Sequence, residues 1–403
     1  MLKSCMHILK PLFVTLVALV LASCQPSTPL LSTPELDQSE LATLVMGTLQ
    51  AMQSTDEATQ PSATVAPDIL PQSLYFLSER SGDTQVWRVG RDGLNLEQMS
   101  GGNQAVLDFD VNPSSGAVVT ISDTRMRYLD NTGEVINTWK VEEKDLVEGL
   151  PAFGRQFSNP RISPDGRWLA YALNGVRLMD LESGESLLVL QNEWQPSASG
   201  QLIPQRLFFP ESWSPDGSKL LVSVAYQEEG GLAFLNLENQ ELVELQASTI
   251  ICCQATWDSG SDAIYVASPY LGLLDSGLWQ YSAENGAETI LIPSSGEDAT
   301  VNLVGWPYSE LGKLRFFYTQ TAGIPEGDSP LFMMEARLTD ADNPQALRGD
   351  AFQIAEVLWA DDGELAVILP ILQGESGPLV VAFADGRPIE VLIDDAWNLR
   401  WGP

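Results

Sequence analysis

Histidine is nearly absent: His7 is the only one in 403 residues, and it lies in a leader expected to be removed. A mature chain without imidazole has no base for a Ser-His-Asp or Cys-His nucleophile, and no nitrogen ligand of that kind for a metal. Cations are scarce as well. Lys and Arg number 21 against 54 Asp and Glu, a net charge of −33. Such a field repels nucleic acid and anionic lipid from the body of the protein. Its plain consequence is a well-solvated surface, with cation binding the lesser reading. No glycine-rich phosphate loop follows a strand, and no cofactor or metal is expected.

The apolar content of 44% and aromatic content of 8% are those of a folded chain. Residues 1–23 read as a leader: Lys3 and Lys10 give a basic start, and residues 12–21 form an apolar core too short for a comfortable membrane span. Leu21-Ala22-Ser23-Cys24 resembles the bacterial lipobox. That resemblance implies cleavage before Cys24 and lipid on its sulfur and amine, which would hold the protein on a membrane without a spanning helix. Removing the leader lowers the cations from 21 to 19 against 54 carboxylates, a balance of −35. Residues 24–72 read as a Pro/Ser/Thr/Gln-biased tether. Within it Leu41, Leu44, Val45, Leu49 and Met52 fall at the spacing of one amphipathic helix.

From residue 73 the composition turns to short β-rich runs. Ser212-Trp213-Ser214-Pro215-Asp216-Gly217 and Arg161-Ile162-Ser163-Pro164-Asp165-Gly166 each read as a strand entering a tight turn. Asp-Gly between apolar runs signals a hairpin, because Gly tolerates positive φ and Asp caps its own turn. Aligned on the residue before the turn, the repeats stand at Val111, Ile162, Trp213, Trp257, Trp306, Trp359 and Trp401. A period of this size with four strands per repeat predicts an all-β, single β-propeller of seven four-stranded blades over residues 73–403. The count falls to six if one eroded repeat is only a hairpin. Strands are expected at 117–122, 125–130 and 135–140, and again at 168–173, 176–181 and 186–190. Residues 73–99 supply three strands lacking a first, and residues 396–403 a first strand lacking a sequel. Pairing the two termini in one blade closes the ring and removes exposed sheet edges.

The two best repeats, 162–171 and 213–223, resemble the WD40-like (PD40) repeats of the TolB propeller family. The resemblance implies a propeller on the outer side of a membrane that holds partners, usually proteins. The family also includes propellers of prolyl-peptidase-like enzymes, which carry a separate hydrolase domain for which no residues remain here.

Propeller topology separates two faces. Turns between first and second and between third and fourth strands share one, and they are short. The other receives the long connections 142–156, 192–205, 268–277, 320–330 and 370–377, and long loops on a rigid scaffold commonly bind. Tyr270, Leu271, Leu273, Leu274, Ile324, Ile371 and Leu372 are apolar residues of these loops. They make a candidate partner-binding face, or else a lid packed on itself. Asp108, Asp110, Asn159, Arg161, Gln254, Glu356, Asn398 and Arg400 fall just before the repeat anchors, where innermost strands line the central channel. There they can hold water, a cation or a polar ligand. Cys252 and Cys253 adjoin an inner strand at the loop-rich end. They form either a vicinal disulfide, which the short Cα spacing strains, or two reduced thiols.

The expected function is a lipid-anchored, non-catalytic binding or scaffold protein of the cell envelope, outside the cytoplasm. Its partner would be another envelope protein or a glycan, not nucleic acid. The alternative is a carboxylate-dependent envelope enzyme, a hydrolase or lyase acting on polysaccharide, for which sequence cannot place the carboxylate pair. A purely structural envelope role is the third reading.

Overall fold

The computed structural model describes residues 68–143, 146–198, 200–225, 230–246, 254–268, 276–295, 300–322, 329–372 and 374–403. The expected leader, Cys24 and the expected tether as far as residue 67 lie outside the described residues. So do Cys252, Cys253, Tyr270, Leu271, Leu273, Leu274 and Ile324. The described residues form one compact unit.

Seven antiparallel sheets follow one another along the chain, and we number them as blades 1 to 7. Their innermost strands, in that order, are Trp397–Gly402, Asp108–Val111, Ser158–Ile162, Leu202–Trp213, Gln254–Trp257, Thr300–Glu310 and Ile354–Trp359. Blade 1 is the composite: Trp397–Gly402 pairs antiparallel with Ser73–Ser78, Leu74 facing Trp401 and Tyr75 facing Arg400. The fold is thus the seven-bladed propeller that the repeat spacing predicts, closed by its two ends. Strands fall near their expected bounds, at Trp168–Ala172, Gly175–Asp180 and Ser186–Gln191 in blade 3.

The core is seven layers, one at each junction between consecutive blades. Tyr75, Leu77 and Val86 of blade 1 meet Phe109, Val111 and Val118 of blade 2, and the other six junctions repeat the pattern. A middle strand therefore buries both its faces. That is why Val118–Ser122, Ala263–Ser268 and Leu379–Phe383 are buried along their whole length and are largely apolar on both faces. The outer strands Leu96–Gln98 and Val135–Lys140 are almost wholly exposed, and Leu96–Gln98 is only three residues long, a short edge being a common way to blunt a sheet.

The repeat motif is explained by its turn. In blade 4 the Ser214 hydroxyl donates to Asp216 Oδ1 (2.6 Å) and accepts the Lys219 N–H (2.9 Å), while Asp216 Oδ1 also accepts the Ser218 N–H (3.0 Å). Blade 3 repeats this with Ser163, Asp165 and the N–H groups of Arg167 and Trp168. Gly166 and Gly217 sit at φ +73° and +71°, where a side chain is disfavoured. In the eroded blade 5 the left-handed position falls instead on Ser261 (φ +65°).

Two expectations are corrected. The connection 370–377 is partly strand: Ile371 and Leu372 end the strand Leu365–Leu372 and pair with Ser376 and Glu375. The connection 192–205 is not a loop: Glu193–Pro196 pairs with Leu202 to Arg206, the start of the long inner strand of blade 4, as a hairpin raised on the loop-rich end. Pro204 within the run conceals it, since proline in sequence argues against a strand.

Candidate functional site

All eight residues expected at the channel lie on innermost strands, and most of them are committed to neighbouring blades. Asp110 Oδ2 accepts the Ile162 N–H at 2.6 Å, joining blades 2 and 3, while Oδ1 lies 3.3 Å from Arg400 Nε of blade 1. Asp108 accepts the Asn398 side-chain amide at 2.9 Å and stands 3.9 Å from Arg161. Arg161 Nε donates to the Glu211 carbonyl of blade 4 at 2.6 Å. Gln254 Oε1 accepts the Trp306 N–H at 2.6 Å, and Glu356 accepts the N–H groups of Asn398 (2.8 Å) and Leu399 (2.7 Å). Asn159 and Asn398 occupy left-handed bulges at φ +51° and +54°, a conformation asparagine tolerates better than most residues. Burial raises the Asp110 carboxyl above the ordinary carboxylate range, against the opposing pull of Arg400 and Arg161. Most of these polar residues are staples between blades.

Anchor tryptophans add a second tie. Trp213 donates its indole N–H to the Arg161 carbonyl (2.9 Å), Trp359 to the Trp306 carbonyl (2.8 Å) and Trp401 to the Trp359 carbonyl (2.6 Å). At these three anchors the indole fills the junction and satisfies its own donor on the preceding blade, whereas the buried Trp257 indole N–H has no partner among the described residues.

The loop-rich end carries features that the sequence reading missed. The connection after blade 2 contains a short 3₁₀ turn, Ala152–Arg155, and leans on the raised hairpin. Leu202 N–H donates to the Gly149 carbonyl (3.1 Å), and the Phe153 and Trp194 rings lie 6.0 Å apart. The Trp194 indole is fixed by Asn174 Oδ1 at 2.8 Å. Phe153 is 51% exposed, and Val147, Ile203 and Leu107 at the same end are also exposed. Of the expected apolar loop residues inside the described set, Leu372 is 54% exposed and Ile371 is half-buried. Their short strand segment turns back through Glu375–Ser376. A lone Phe in a polar loop gives little signal; only the fold sets it beside Trp194.

A cleft opens on the opposite, short-turn side, between blades 3 and 4, with a volume of about 920 Å³. Among the described residues there is no group of three or more His, Cys, Asp or Glu placed to hold a metal ion. No helix there is long and apolar enough to cross a membrane.

No family model matches this chain, and no curated protein matches it. Solved structures do resemble it. A protein from Desulfotomaculum acetoxidans described as functionally unknown is 10% identical, with a TM-score of 0.52 over 81% of this chain and 98% of that one. TolB from Acinetobacter baumannii is 14% identical, with a TM-score of 0.43 over 84% and 67%. An oligogalacturonate lyase in complex with manganese is 15% identical, with a TM-score of 0.48 over 74% and 88%. At these identities the likeness concerns the fold alone.

Proposed function

We propose that the chain is a lipid-anchored propeller of the cell envelope that binds a partner protein through its loop-rich face and catalyses nothing. The observation that carries this reading is the exposed Phe153 beside the fixed Trp194 on that face, with Val147 and Ile203 also exposed at the same end. A rigid aromatic platform with neighbouring apolar side chains is a usual anchor of protein interfaces. The commitment of Asp108, Asp110, Glu356 and Arg400 to inter-blade contacts supports the non-catalytic half. These side chains already hold backbone donors or one another, which accounts for their placement by inter-blade bonding alone. The acylated Cys24 would deliver the propeller to the membrane surface.

The test is cross-linking and affinity capture from membranes with the full-length chain, wild type against Phe153→Ser and Leu372→Ser. Both side chains are more than half exposed, so the thermal midpoint should hold while the captured partner is lost. Retention of that partner by both variants would overturn the loop-face reading. Cys24→Ser should release the protein from membranes or leave the precursor uncleaved, and a membrane-bound variant of mature size would sink the anchor.

A further inference from the structure

The cleft between blades 3 and 4 has an apolar floor and a charged rim. Trp168, Leu178 and Leu237 are the half-buried upper end of that junction's core, above Trp213. Leu187 stands on the wall with 60% of its surface exposed. The rim is made by the short turns of both blades. Asp180 is spent there: Oδ1 accepts the N–H groups of Glu182 and Ser183, and Oδ2 accepts Arg167 Nε at 3.0 Å. Arg167 in turn lies over the Trp168 ring, 5.0 Å from its centroid. Glu182 and Glu185 are exposed and have no ion-pair partner among the described residues, so the rim keeps their two negative charges.

The chain itself shows how such a cleft is closed. At the junction of blades 7 and 1, on the same short-turn side, residues 68–70 lie in the corresponding position. Ile69 and Leu70 both donate their N–H groups to the Arg91 carbonyl (2.9 and 3.0 Å), and Asp68 pairs with Arg91 at 2.9 Å. Leu70 is 2% exposed among Phe76, Val89 and Leu365, with Ile69 and Leu392 packed against the same layer. Two consecutive aliphatic side chains and one flanking charge suffice to seal it.

We infer that the cleft between blades 3 and 4 docks a segment of another protein bearing an aliphatic pair flanked by Lys or Arg. The aliphatic pair fits the Trp168–Leu178–Leu187 floor, as Ile69 and Leu70 fit theirs. Flanking cations complement Glu182 and Glu185, the converse of Asp68 on Arg91. The chain's own tether is the wrong occupant: residues 24–67 hold no Lys or Arg and carry Glu35, Asp37, Glu40, Asp56 and Glu57. A second copy, with a net charge of −33, is disfavoured by the same repulsion. This site is separate from the loop-rich face and does not depend on it.

The test uses the full-length protein and two fluorescent probe peptides, Lys-Ile-Leu-Pro-Lys and Asp-Ile-Leu-Pro-Asp, read by anisotropy. The basic peptide should bind saturably and more weakly as salt rises, and the acidic one should not bind. Glu182→Lys/Glu185→Lys and, separately, Leu187→Asp should each weaken the basic peptide by roughly tenfold. All three side chains are exposed, so the thermal midpoint should not move, and Phe153→Ser should leave the affinity unchanged. Equal binding of the two peptides, or wild-type affinity in both cleft variants, would overturn the proposal. So would an absence of saturable binding. Self-association abolished by Leu187→Asp would put a second copy in the cleft and refute the heterologous occupant.

Discussion

Glu356 holds Leu399 by its backbone: Oε1 accepts the Leu399 N–H at 2.7 Å while Oε2 accepts that of Asn398 at 2.8 Å. One carboxylate of blade 7 thereby fixes the strand that closes the ring, 43 residues further along the chain. Leu399 is 1% exposed, so removing the acceptor strands a buried donor. Glu356→Ala should cost about 3 kcal/mol in denaturant unfolding. Glu356→Gln, keeping one acceptor oxygen, should fall between the two. An alanine variant as stable as wild type would show that the closing strand is held without this staple.

The same strand can be removed. Deleting residues 396–403 strips blade 1 of Trp397–Gly402 and leaves the Leu74 and Tyr75 edge unpaired. Leu399 leaves the junction core, and Trp397 and Trp401 no longer pack against it. Loss of a buried Trp or Leu costs about 2–5 kcal/mol each, against a typical total of about 5–15 kcal/mol. The truncated chain should aggregate or become protease-sensitive at room temperature. A cooperative, soluble truncation would mean that six complete blades and an open edge suffice.

How far the sequence foretold this depends on the range of the contact. The Ser-Pro-Asp-Gly turn is a local event, with Asp216 bonding within two residues of itself, and so the blades and their number were readable. The positions of Asp108, Asp110 and Glu356 on inner strands followed from the same register. Their role did not, because Asp110 reaches a donor 52 residues away, on the next blade, and only the closed ring sets that distance. The channel therefore looked like a polar lining free to bind, when much of it is bonding between blades. The raised hairpin was missed because Pro204 and Pro210 lie within Leu202–Trp213. The strand tolerates Pro210 at a register shift, a feature with no local sequence signal.

Two glycines in equivalent turns separate backbone strain from contact. At Gly217 (φ +71°) an added Cβ would lie 3.9 Å from its nearest neighbour, Pro164 Cδ. Gly217→Ala should therefore cost only the left-handed penalty of about 1 kcal/mol. At Gly166 (φ +73°) it would meet the Asn112 side chain at 2.7 Å, displacing the amide that donates to the Gly166 carbonyl at 3.0 Å. That amide is buried, and its oxygen caps Ser114 and Ser115, so Gly166→Ala should cost about 1–2 kcal/mol more than Gly217→Ala. Equal melting shifts in the two variants would mean that Asn112 yields freely and does not tie blade 2 to blade 3.

Asp216 makes the turn of blade 4 a source of acid sensitivity. Burial by itself would raise its carboxyl, but donation from the Ser214 hydroxyl and from the Ser218 N–H and hydroxyl outweighs it, with Lys219 adding to the pull. The result is a pKa held down to about 2. In the unfolded chain the same group titrates near the ordinary carboxylate value of about 4. Between these values the unfolded state binds the proton first, so stability falls as pH falls, and the contribution is complete above the unfolded pKa. The stability of the wild type should thus decline from about pH 4 towards pH 2 more steeply than that of Asp216→Asn, which keeps an acceptor oxygen but no titrating group. The group is largely exposed to solvent, and salt should shrink the difference. The comparison requires chemical unfolding at several pH values for both proteins, since the other carboxylates titrate in each and cancel in the difference. Parallel curves from pH 5 to pH 2 would show that the turn does not hold the Asp216 charge.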